Sequence, residues 1–174
     1  MEKMNKKHNK LPHISLKGHY QFVTFRTYDS VDTYVQNIQN SNEIEKIKQY
    51  KIDTYLDTSL NGAYFYDEAI DIMIDVILEE DENLYDMEIV AIMPNHVHML
   101  FKQNSDMSQI MKYLRAKSAI EINRYLKRDG KFWADGYFDK LIRDEKHFET
   151  VYNYIKNNPI KAGLQDERVF GKYE

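Results

Sequence analysis

The 174-residue chain has no cysteine, only three prolines and only six glycines. The missing thiols exclude a disulfide scaffold, a cysteine nucleophile, a thiolate-bound zinc and an iron–sulfur cluster. Long apolar runs are missing too. The best stretch, Ile70 to Leu78, is interrupted by acids, far short of the ~20 apolar residues that span a bilayer. The opening MEKMNKKHNKLPHISLKG is basic but holds no apolar segment of signal-peptide length, which predicts a soluble, cytoplasmic protein with no membrane partner. Repeats, low-complexity tracts and linkers are absent. The length suits a single domain over residues 1–174, which at this size buries roughly 70% of the unfolded surface and needs no metal or disulfide to close its core.

Charge is unevenly distributed. Between Ile52 and Phe101 there is not one lysine or arginine, while Asp67, Glu68, Asp71, Asp75, Glu79, Glu80, Asp81, Glu82, Asp86 and Glu88 form an acidic block that repels polyanions. Residues 102–128 carry seven basic side chains, Lys112, Arg115, Lys117 and Arg124 among them, against two acidic ones. A basic N-terminal arm (1–18) adds Lys3, Lys6, Lys7, Lys10 and Lys17 against Glu2. The net charge of −4 therefore hides two basic regions able to steer a phosphate backbone. A solvated helix face is the plainer reading of the first.

The elements alternate. HYQFVTFRT (19–27) reads as a strand, and residues 31–60 as a polar insertion able to form a short helix, with no firm apolar stripe before Leu56 and Leu60. Asp67 to Glu80 is an amphipathic helix. Tyr85–Met93 and His96–Lys102 form a hairpin across Pro94–Asn95, and Ser108, as N-cap, opens a long helix to Lys127. Tyr137–Arg143 is a strand and Asp144–Asn157 a helix stopped by Pro159. This order predicts an α+β class, a ferredoxin-like antiparallel sheet with helices packed on one face.

Two segments carry chemistry. In MPNHVHML (93–100), His96 and His98 stand two apart on a strand, so both imidazoles share one face and can ligate one divalent metal, while Val97 and Met99 point into the core. A third ligand is not evident, a carboxylate from the acidic block being one option, and no HExxH spacing supports a zinc hydrolase. In FETVYNYIKNNPIKAGL (148–164), Phe148, Val151, Tyr152 and Ile155 make the buried stripe. Tyr154 lies off it, four residues before Asn158, so phenol and carboxamide rise from one helical edge.

Together with WADGYFDKLIRD (133–144) and the opening strand, these segments resemble the HUH-superfamily tyrosine transposases of the insertion-sequence type, most closely the REP-associated tyrosine transposases. The resemblance covers most of the chain but leaves residues 31–60 without a counterpart. It implies that His96 and His98 bind the metal, that Asn158 is the third ligand and that Tyr154 is the catalytic tyrosine. The implied activity is cleavage and rejoining of single-stranded DNA at hairpin or palindromic repeats through a 5′-phosphotyrosine, by a monomer or homodimer. Neutral ligands leave the cation its full charge for the phosphate, and this donor set favours Mg2+ or Mn2+. Phosphate contacts fall to Lys112, Arg115, Lys117 and Arg124 and to the arm, with Lys156 and Lys161 near the phenol. Phe25, Trp133 and Tyr137 are candidates for stacking on bases. The alternative is a domesticated module that holds structured DNA or RNA without cutting it, although no RNP-like pattern is present. A His-dependent metal hydrolase ranks last, since no general base is evident.

Overall fold

A computed structural model describes residues 13–172. The element order is β1 (Tyr20–Arg26), α1 (Thr33–Gln39), α2 (Glu45–Leu56), α3 (Glu68–Glu79), β2 (Tyr85–Ile92), β3 (His96–Gln103), α4 (Met107–Leu126), β4 (Phe138–Leu141), α5 (Glu145–Lys161) and β5 (Val169–Gly171). The strands form one antiparallel sheet in the order β4-β1-β3-β2-β5. Its first four positions follow the ferredoxin-like α+β layout, and β5 adds a short edge strand. Among the described residues no helix is long and apolar enough to cross a membrane. The arm residues Lys3, Lys6, Lys7 and Lys10 lie outside the described part.

The expected single helical layer is α3 with α4. Ile70, Met73 and Ile77 of α3 and Ile110, Met111 and Leu114 of α4 pack against Val23, Phe25, Val97, Met99 and Phe101 on one face of the sheet. Helix α5 covers the opposite face, where Val151 and Ile155 meet Phe22, Ala91 and Leu100. Period-2 alternation in β1 and β3 thus feeds two cores.

Residues 31–60 fold into two helices, not one. The α1–α2 pair has its own small cluster of Val35, Ile38, Ile52 and Leu56. Asp32 caps α1 by accepting from Val35 N at 3.0 Å and also takes the Tyr55 hydroxyl. Leu60, expected to join a stripe, is 82% exposed because the chain has already turned away from α2. Gly62 closes the return at φ +63°, where an added Cβ would lie 2.3 Å from Thr27 Oγ1 and 2.6 Å from Ser30 N, so no other residue fits.

Two helix ends differ from expectation. Helix α4 starts at Met107, whose amide donates to Ser15 Oγ at 3.2 Å, so the Ser108 hydroxyl is not its cap. Helix α5 runs through Pro159 to Lys161, with Ala162 N bonding Asn158 O at 3.0 Å. Packing outweighs the loss of one amide donor, because Asn158 and Pro159 are themselves buried.

Candidate metal and nucleophile site

On the α5 face of the sheet the ladder places polar residues side by side: Thr24 lies opposite His98, and Arg26 opposite His96. Both histidines are fully buried. His98 Nδ1 lies 2.7 Å from Thr24 Oγ1 and His96 Nδ1 2.7 Å from Asn95 Oδ1. With Nδ1–H donated to these oxygens, each Nε2 is left as the acceptor, the tautomer a metal ligand requires. Burial holds both imidazoles neutral: His98 is lowered to about 3, and His96 falls well below its ordinary value, with His98 and Arg26 adding to the shift.

Asn95 does more than turn the hairpin. Its amide nitrogen donates to the carbonyls of Leu56, Ser59 and Asn61 at 3.0, 3.2 and 3.4 Å, which fixes its oxygen on His96 and clamps the end of α2 to the site. A second clamp runs from Arg26 to Gln49 Oε1 at 2.9 Å, and Gln49 Nε2 in turn donates to Asp53 Oδ1 at 2.9 Å.

Through these clamps the insertion delivers two carboxylates, one helical turn apart. Asp53 is buried, and one of its oxygens and the two imidazole nitrogens all lie within 4.8 Å of one another. Asp57 Oδ1 is 3.7 Å from His96 Nε2. Desolvation pushes Asp53 up to about 7, opposed first by Arg26, and Asp57 up to about 6, opposed by Lys161. The sequence reading missed both acids. The carboxylates come from the segment left without a counterpart, not from the acidic block. The signal was there in IDTYLD (52–57), two acids at i and i+4 beside the apolar Ile52 and Leu56.

Tyr154 meets this cluster within the same chain. Its ring centroid is 5.3 Å from that of His98 and 6.0 Å from that of Phe22, and its hydroxyl donates to Asp53 Oδ2 at 3.3 Å. Burial of the hydroxyl and the two acids push the phenol above its ordinary value, so it is held protonated. Asn158, one turn on, is 3% exposed. His96 Nε2, His98 Nε2, Asp57 Oδ1 and Asn158 Oδ1 are buried polar atoms without a hydrogen-bond partner. Such orphans cost free energy unless a cation or water meets them. Imidazole nitrogens with hard oxygen donors suit a divalent ion of the Mg2+ or Mn2+ kind.

The other candidates are dispersed. Lys156 and Lys161 are exposed on α5, the helix of Tyr154. Lys112, Arg115, Lys117 and Arg124 lie on α4, across the sheet from the histidines. Within that group Arg115 donates to Gly136 O at 3.2 Å and sits over the Tyr137 ring, while Lys117 and Arg124 share Glu121. Phe25 and Trp133 are core residues, the indole donating to Ser118 Oγ at 2.9 Å, so neither is free to stack on a base. Tyr137 remains half-buried.

A ferredoxin-like sheet carrying a buried histidine pair beside a helix-borne tyrosine defines the class. The family model described as "Transposase IS200 like" matches residues 54–158, and the chain belongs to that family. His96, His98, Tyr154 and Asn158 fall inside the matched stretch, and Asp53 lies just before it. A Haemophilus influenzae protein named as a REP-associated tyrosine transposase is 31% identical over 93 residues, covering 45% of this chain and 53% of that protein. The chain thus spans about half the length of this curated relative. Among solved structures, a REP-associated tyrosine transposase bound to a REP hairpin has a TM-score of 0.51 at 15% identity, covering 88% of this chain and 74% of that one. A protein from Deinococcus radiodurans described as a transposase has a TM-score of 0.48 at 16% identity over 87% of this chain and 97% of that one.

Proposed function

We propose that the chain is a metal-dependent tyrosine transposase that cuts and rejoins single-stranded DNA beside a hairpin repeat. Family membership supports DNA transposition chemistry, and the two named relatives point to REP-type hairpins as the substrate class. The single observation that carries the reading is the contact of Tyr154 with His98 and Asp53 at the mouth of a buried site.

His96, His98 and Asn158 would hold a divalent cation, Mg2+ or Mn2+, which when bound supplies positive charge for the non-bridging phosphate oxygens. The remaining work falls to the chain's own groups. Tyr154 Oη attacks the phosphorus, the bond from phosphorus to O3′ breaks, and the tyrosine keeps a 5′-phosphoryl link while the upstream strand leaves with a free 3′-hydroxyl. The phenol must give up its proton in that step, and Asp53 Oδ2, already its hydrogen-bond acceptor, is the nearest base. Rejoining runs the same exchange backwards, with the ester energy kept in the phosphotyrosine. Lys156 and Lys161 lie on the helix of the nucleophile, where they would hold the backbone of the strand being cut.

The test is incubation with Mn2+ and a hairpin oligonucleotide labelled on the strand 3′ to the cleavage site. Wild type should carry the label through denaturing electrophoresis as a covalent adduct, and Tyr154→Phe should carry none. Equal labelling of the two proteins would overturn the assignment of the nucleophile, and hairpin binding without an adduct under any divalent metal would favour the non-cutting module.

A further inference from the structure

Resting on the metal-dependent reading above, we infer that Asp53, brought in by the α1–α2 insertion, is a direct ligand of the cation beside His96, His98 and Asn158, so that the centre includes one carboxylate and is not a site of neutral donors alone.

Three observations carry this. One oxygen of Asp53 and one ring nitrogen each of His96 and His98 lie within 4.8 Å of one another. Bonds of ~2.0–2.2 Å to a common ion place neighbouring donors about 3.0–3.4 Å apart, so binding would draw these atoms together by up to about 1.5 Å. Both Nε2 atoms are buried with no other partner, so the carboxylate faces acceptors that repel it unless a cation stands between. Asp53 also has capacity left: Oδ1 accepts from Gln49 and Oδ2 from Tyr154, one bond each, while a carboxylate offers about four lone-pair sites.

The surroundings are built to place this one acid. Gln49 ties Asp53 to the buried Arg26, whose positive charge favours the ionised carboxylate. Asn95 locks the last turn of α2 to the hairpin that bears both imidazoles. The same amide orients His96, so one side chain sets the distance between two ligands that come from distant parts of the chain. Asp57 is the useful contrast. It is one turn further along α2 and carries the same charge, but lies outside the group that can share an ion with both histidines.

A carboxylate ligand has three consequences. It raises affinity for the ion through its charge, and it makes metal loading depend on docking of the insertion. It also lets one group touch both cation and nucleophile, because Oδ2 is already bonded to the Tyr154 hydroxyl.

The test is calorimetric titration of the full chain with Mn2+, together with the visible spectrum of the Co2+-loaded protein, for wild type, His98→Ala, Asp53→Asn, Asp53→Ala and Asp57→Asn. Circular dichroism in EDTA confirms that each variant is folded. Wild type should bind one ion and His98→Ala none. Asp53→Asn should bind at least ~10-fold more weakly and Asp53→Ala more weakly still. Asp57→Asn should weaken binding less than Asp53→Asn does, and the Co2+ bands should change shape only in the two Asp53 variants. Wild-type affinity in both Asp53 variants would overturn the inference while leaving the histidine site standing. Equal weakening by Asp57→Asn with unchanged Co2+ bands would also overturn it, since that is the signature of distant charge. Undiminished binding by His98→Ala would instead sink the metal-dependent reading itself.

Discussion

On β3, Val97, Met99 and Phe101 face the apolar layer beneath α3 and α4, while their neighbours His96 and His98 face the layer of α5 and α2. Both sets are fully buried. On the first face Val97, Met99 and Phe101 pack among apolar neighbours. On the second, Thr24, Asn95, Arg26 and Asp53 surround the imidazoles, and several buried polar atoms are left without partners. One strand therefore supplies a stabilising surface and a chemically unfinished one. The α3–α4 layer can hold the sheet rigid while the other face tolerates buried charge.

The sharpest way to break this contrast is to truncate adjacent residues. His98→Ala should abolish Mn2+ binding and adduct formation. Met99→Ala should leave Mn2+ affinity intact in the folded protein while lowering stability by about 2–5 kcal/mol in denaturant titrations. Similar effects from the two changes would mean that the faces are not divided in function.

Asn95→Ala comes next, because it strikes the clamp between them. Loss of its bonds to the carbonyls of Leu56 at the end of α2 and of Ser59 and Asn61 in the following loop, and to His96, should cost about 2 kcal/mol or more. Mn2+ affinity should fall ~10–100-fold, as expected for a group that orients a ligand. Unaltered affinity, read by calorimetry, would show that the clamp does not position the site.

The pH dependence of the metal-free protein is a smaller effect with two opposing signs. His98 is held at about 3 in the folded chain, below its ordinary ~6.5, so its contribution is fully present above about pH 6.5 and is lost as pH falls towards 3. Asp53 is raised to about 7, so the folded chain binds the extra proton and stability declines as pH rises from about 4 to 7. Asp53→Asn should remove that decline. Its melting temperature in EDTA should gain on wild type between about pH 5 and pH 7.5, and parallel curves would contradict the shift.

Smallest is Lys112→Ala on the exposed side of α4, which should change stability by no more than about 0.5 kcal/mol. If the hairpin reaches round to the α4 layer, binding should weaken uniformly across sequences and the salt slope should drop by about 1, and otherwise neither should move.

Much of this was legible in the sequence because it depends on short-range patterns. Two-residue spacing put His96 and His98 on one face, and the run of strands and helices gave the ferredoxin-like order. The position of Tyr154 off the apolar stripe marked it as a group on the helix edge, and the family resemblance gave it a role. What stayed hidden depends on tertiary reach. Asp53 and Asp57 look like solvated acids on a polar helix until Asn95 and Arg26 fold that helix back onto β1 and β3. Pro159 signalled a helix end, but burial of Asn158 carried α5 one turn further. Trp133 and Phe25 looked available to DNA until the α4 layer enclosed them.

The central claim is that the phenol beside this unfinished face is the group that takes up DNA. Its most direct test is to trap the adduct with Mn2+ and a hairpin oligonucleotide, digest protein and DNA, and locate the nucleotide-bearing residue by mass spectrometry. The account predicts a 5′-phosphoryl link on Tyr154. A link on any other tyrosine, or on a serine or histidine, would contradict it.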